Sequence, residues 1–140
     1  MSTTPLNIGF VGLGIMGAPM AGHLLAAGHQ LFVYTHGKLH AEVAASSATQ
    51  CTSAKGVAER ADIVFTMVPD TPDVEAVLFG AEGVAAGLSK GKTVVDMSSI
   101  SPIETKVFAK KINALGCDYL DAPVSGGEVG AKAASLTIMV

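Results

Sequence analysis

The stretch Leu6-Asn7-Ile8-Gly9-Phe10-Val11-Gly12-Leu13-Gly14-Ile15-Met16-Gly17 decides the fold. A short apolar run of strand character ends in three glycines spaced G-x-G-x-x-G, and an apolar helical pattern follows. Each glycine answers a physical need. Gly12 lets the chain turn sharply out of the strand, Gly14 leaves backbone bare for the approach of a pyrophosphate, and Gly17 lets helix and strand pack closely. The N-terminus of the helix then aims unpaired N–H groups at the anion. The reading is strand, phosphate-binding turn and helix, and the ligand it implies is a dinucleotide. A glycine turn that only eased packing would leave the spacing of Gly14 and Gly17 unexplained.

Working outward, periodicity places strands at 6–11, 31–34, 63–67, 93–96 and 119–120, with helical segments between most of them. The first helix is expected over 15–27, with Met20, Leu24 and Leu25 on its apolar side and Gly28 ending it. Residues 63–68 and 93–97 are nearly continuous in apolar side chains, as in parallel strands covered on both faces. The fold class expected is α/β: a Rossmann-type, doubly wound, mostly parallel sheet. Pro69-Asp70-Thr71-Pro72 and Ser98-Ser99-Ile100-Ser101-Pro102 then fall at the carboxyl ends of strands, where such sheets bind ligands. Both loops also read as helix starts, with Asp70 or Thr71 capping a helix from Pro72 and Ser101 one from Pro102. The alternating end, Leu136-Thr137-Ile138-Met139-Val140, reads as a strand.

Composition bounds the partners. The 140 residues suit one domain, 1–140, and 49% hydrophobic against 15% charged residues suits a sheet sandwiched between helices. No run approaches the roughly 20 apolar residues of a membrane span, and the N-terminus lacks a charged and apolar leader, so no membrane partner and a cytoplasmic location are expected. A net charge of −3 without a basic cluster predicts no nucleic-acid partner. Cys51 and Cys117 stand far apart and read as reduced packing residues, and His23, His29, His36 and His40 form no metal pattern.

The form of the dinucleotide is left open. NAD selection commonly uses a carboxylate about 20 residues beyond the glycines to grip the ribose hydroxyls. Here the second strand ends Val33-Tyr34-Thr35-His36-Gly37-Lys38, and no carboxylate comes before Glu42. Thr35 can bond a hydroxyl or a phosphate, while His36 and Lys38 can offer charge to a phosphate. An ordinary polar turn into a helix reads the same way.

Three segments, residues 12–20 around the glycines, Asp96-Met97-Ser98-Ser99-Ile100-Ser101-Pro102, and Asp121-Ala122-Pro123-Val124-Ser125-Gly126-Gly127, resemble the β-hydroxyacid dehydrogenase family in order and spacing. The resemblance runs over essentially the whole chain and corresponds to the N-terminal half of a family member. It implies an NAD(P)-dependent oxidoreductase passing hydride between a nicotinamide and a short hydroxy or oxo acid, with NAD the favoured cofactor and NADP possible. It places Gly12, Leu13, Gly14, Ile15, Met16 and Gly17 around the pyrophosphate, Met67, Val68 and Pro69 on the adenosine side with Asp73 nearby, and Ser99 toward the nicotinamide. Thr35 and His36 complete the cofactor set. Ser125, Gly126 and Gly127 match the family's substrate-carboxylate segment, a concavity of backbone donors and one hydroxyl. The family's general-acid lysine belongs to a helical second domain and is expected beyond Val140, so no catalytic residue is assigned to Lys106, Lys110, Lys111 or Lys132. Homo-oligomers are expected of full-length members. The rival reading is a stand-alone dinucleotide-binding module without chemistry, against which the apolar ending argues, since a closed edge would carry charge.

Overall fold

The structure is a computed structural model and describes residues 5–37, 41–44 and 46–140. In chain order the elements are β1 Asn7–Val11, α1 Gly17–Ala26, β2 Gln30–Tyr34, α2 Ala41–Ala44, β3 Thr49–Gln50, α3 Ala54–Arg60, β4 Ile63–Thr66 and α4 Thr71–Phe79. There follow α5 Val84–Gly87, β5 Thr93–Asp96, α6 Pro102–Ala114, β6 Asp118–Asp121, β7 Val124–Ser125, α7 Gly127–Ala133 and β8 Thr137–Ile138. Six strands form one wholly parallel sheet in the order β3-β2-β1-β4-β5-β6, and β7 and β8 pair separately as an antiparallel ribbon. The chain winds outward from β1 to β3, then crosses to β4 and winds the other way. This reversal opens a crevice at the carboxyl ends of β1 and β4.

Alternation along β1 feeds two cores. Ile8 and Phe10 point to one face, where they pack with Leu31, Val33 and the Ala18 and Ala21 side of α1. Val11 points to the other and joins Val57, Val64, Leu78, Val94, Phe108 and Ile112. Met20, Leu24 and Leu25 flank the first cluster, as their helical spacing predicts.

Local chemistry explains most boundaries. Gly28 takes φ +91° and its N–H returns to Leu25 O, ending α1 as expected. Asp70 opens α4 with a capping box: its carboxylate accepts from Thr71 N–H at 2.7 Å, and Asp73 returns the favour to Asp70 N–H at 3.1 Å. Ser101 caps α6, where Pro102 loses no hydrogen bond in the first turn.

Several expected bounds shift. The first helix begins at Gly17 rather than at Ile15, because Ile15 and Met16 are spent on the turn that leads out of the glycines. Leu6 stays outside β1 and is exposed, its N–H donating to His29 Nδ1. The terminal alternation does yield a strand, β8, but one that pairs with β7 and not with the main sheet. Lys38 and His40 lie outside the described residues. Among the described residues no helix is long and apolar enough to cross a membrane.

Candidate functional site

A cleft of about 960 Å³ occupies the crevice at the sheet's reversal point. Its floor is the glycine turn. Gly12 takes φ +97°, and a Cβ there would run into the Met67 carbonyl, so the turn sits directly on the loop after β4. A Cβ on Gly17 would strike the Gly12 carbonyl and crowd the Phe10 ring, which is the close helix–strand contact the spacing called for. Gly14 differs from both, since a Cβ built on it meets no atom within 4 Å. The space above it belongs to the cleft.

Gly12, Leu13, Gly14, Ile15, Met16 and Gly17 line this cleft together with Thr35, His36, Met67, Val68, Pro69, Asp73 and Ser99. Sequence separation is large, and the sheet order brings these loops to one end. Thr35 is tied to the floor, its Oγ1 accepting from Leu13 N–H at 3.2 Å. Ser125, Gly126 and Gly127 are not part of the cleft wall. They sit where β7 passes into α7, with Gly126 at φ +132°, on a unit held to α1 by a contact of 2.7 Å between His23 Nε2 and Ala131 O. Val124 nonetheless packs, as Met67 does, against the cluster of Val95, Met97 and Ala122, so this unit is seated beside the loops that carry the cleft.

Sequence reading did not identify Thr52, Ser53 and Ala54 at the start of α3, nor Glu82 and Gly83 before α5, all of which line the far end. Ser53 carries a visible capping pattern, its Oγ accepting from Gly56 N–H at 3.1 Å, but that pattern predicts a helix start and nothing about a cleft. Among the described residues the lining carboxylates are Asp73, held in its capping box, and Glu82, and no described lysine lines the cleft.

Behind the wall lies a buried polar knot. Asp96, at the end of β5, is fully buried and accepts from Thr66 Oγ1 at 2.9 Å and from Ser98 N–H at 3.1 Å through Oδ1. Tyr119 OH approaches its other oxygen at 3.5 Å. Burial pushes the Asp96 carboxyl above its ordinary range, although the bonds from Ser98 and Thr66 pull the other way. Burial, then the neighbouring carboxylates Asp96 and Asp121, push the Tyr119 hydroxyl up as well. Ser98, also fully buried, accepts from Val68 N–H at 2.9 Å.

Against known proteins, residues 7–140 match the model of the NAD binding domain of 6-phosphogluconate dehydrogenase. The chain is 58% identical to 2-hydroxy-3-oxopropionate reductase of Escherichia coli K12, covering 96% of this chain and 46% of that protein. It is 45% identical to the mitochondrial 3-hydroxyisobutyrate dehydrogenase of Drosophila melanogaster, over 96% of this chain and 41% of the relative. Among solved structures, Psf3 in complex with NADP+ and 2-OPP superposes with a TM-score of 0.87 at 28% identity, over 94% of this chain and 47% of that one. The chain therefore spans less than half the length of these relatives.

Proposed function

The chain belongs to the family of the NAD-binding domain of 6-phosphogluconate dehydrogenase, and we propose that it is the cofactor-binding half of an oxidoreductase that reduces tartronate semialdehyde (2-hydroxy-3-oxopropionate) to D-glycerate. The observation that carries the reading is the open space over Gly14, floored by the glycine turn and walled by the loops after β2, β4 and β5. A bound dinucleotide would supply the hydride. The chain's own work is to hold and aim it.

The residues fit that task. Backbone N–H groups around Gly14 and Ile15 face a pyrophosphate without a side chain in the way. Met67, Val68 and Pro69 take the adenosine side with Asp73 nearby, and Ser99 reaches toward the nicotinamide end. Thr35 and His36 border the ribose. Among the described residues no carboxylate lines the cleft at the end of β2, and so the site accepts NAD and does not repel the extra phosphate of NADP. Ser125, Gly126 and Gly127 hold the substrate carboxylate, with the general-acid lysine outside these 140 residues. Support for that last point is that none of the described residues lining the cleft is a lysine.

The choice of substrate draws its support from the identity to the Escherichia coli reductase, and with it go a role in glyoxylate metabolism and a cytoplasmic location. The likeness to the Drosophila enzyme favours a second reading, 3-hydroxyisobutyrate or a similar short 3-hydroxy acid. The test is a titration of the chain with NADH, run beside an assay of NADH oxidation with tartronate semialdehyde. Binding with turnover at least about 10²-fold below an ordinary enzyme rate is expected, since acid catalysis contributes that much or more. Turnover at a full rate would put the proton donor within these residues. Absence of binding would remove the dinucleotide reading itself.

A further inference from the structure

We infer that Ser98 is a positioning residue that locks the two walls of the cleft to each other, so that the adenosine and nicotinamide ends of one cofactor are held at a fixed separation. The inference rests on the assignment of Met67 to Pro69 and of Ser99 to opposite ends of the cofactor.

β4 and β5 are tied by their ladder up to Met97 N–H, which donates to Thr66 O at 2.9 Å. Past that point the two loops leave the sheet, and both become cleft wall: Val68 and Pro69 on one side, Ser99 on the other. The bond from Val68 N–H to Ser98 Oγ, 2.9 Å, carries the tie one step beyond the ladder. Ser98 itself is fully buried and does not line the cleft, so it acts on a ligand only through its neighbours.

What makes the lock rigid is the Asp96 carboxylate. Its Oδ1 receives Thr66 Oγ1 from the end of β4 and Ser98 N–H from the loop after β5, at 2.9 and 3.1 Å. Ser98 is thereby gripped at its backbone by one bond and spends its side chain on the opposite loop. A serine present only to satisfy a buried donor would have no bearing on the separation of the walls. Its loss would weaken every ligand of the cleft alike.

That difference sets the experiment. NADH touches both walls, whereas ADP touches only the Val68 side. Both ligands are titrated against the parent chain and Ser98→Ala, with thermal unfolding of each chain alongside. The expected result is a loss of about five- to tenfold in NADH affinity, the size of one hydrogen-bonded contact, with ADP affinity within about twofold of the parent. Ser98→Cys keeps the side-chain shape, with a slightly larger and weaker acceptor, and is expected between the two. It also carries the comparison should the alanine chain fail to fold. Equal losses for NADH and ADP, or no loss for NADH, would overturn the lock while leaving the dinucleotide reading intact. A parent chain that binds ADP and NADH equally well would show that the nicotinamide end is not held by this chain, and the inference falls with that assignment.

Discussion

Gly14 separates what the fold needs from what the ligand needs. Its Cβ position is empty space and its backbone is not in the left-handed region, so a Cβ there meets no protein atom and the fold does not require glycine. Gly14→Val is therefore expected to fold with the parent's circular dichroism and to lose NADH binding, by at least about a hundredfold if a side chain displaces the pyrophosphate. A folded variant with unchanged NADH affinity would remove the phosphate-turn assignment. Asp96 gives a second prediction at this scale. Its folded-state pKa is raised, so the folded chain holds this proton to higher pH than the unfolded one does. The resulting contribution to stability is complete below the unfolded value of about 3.9 and is lost as pH rises through the raised value. Asp96→Asn abolishes that titration. Its melting temperature relative to the parent should rise from about pH 4 to about pH 7, and a relative fall over that range would mean the hydrogen bonds outweigh burial. Gly14 was legible in the sequence because three glycines at fixed spacing constrain one another. The partners of Asp96 and Ser98 were not, because a polar residue at or just past the end of a strand says nothing of what it meets on another strand.

At the scale of elements, the five strands with enough residues to show a period were all legible, as was the capping chemistry of α4 and α6. Thr49–Gln50, Val124–Ser125 and Thr137–Ile138 were not read as this structure pairs them, because two residues carry no period and their pairing is decided by distant neighbours. The far end of the cleft was hidden for a similar reason: Thr52 to Ala54 and Glu82 to Gly83 are ordinary helix starts that only the sheet order brings together. One element ends under strain. Ala134 closes α7 at φ 55° and ψ 38°, a left-handed conformation that costs a non-glycine residue about 1 kcal/mol. Ala134→Gly should raise stability by up to about 1 kcal/mol in urea unfolding, reduced somewhat by the freer unfolded chain. A loss of stability would show that the alanine methyl is worth more than the strain.

Across the whole molecule, two cores on opposite faces of one sheet share β1. Phe108 brings α6 into the larger of them, almost fully buried and with its ring centroid 5.5 Å from that of Phe79. Phe108→Ala should cost about 3–5 kcal/mol, a large part of what a domain of this size has to lose, and chemical denaturation measures it directly. A cost under about 1 kcal/mol would mean that α6 settles into the space the ring leaves. The wholly parallel sheet also has a consequence in time. None of its six strands can pair by a tight hairpin, since every parallel neighbour must be reached by a crossover. Ile8 pairs with both Leu31 and Ile63, so β1 waits uncovered on one edge until β4 has been made. The strand that leads into the glycine motif thus emerges before the other strands of its sheet and stays open on one edge through β2, α2, β3 and α3, and its slow burial exposes the nascent chain to association with its own copies.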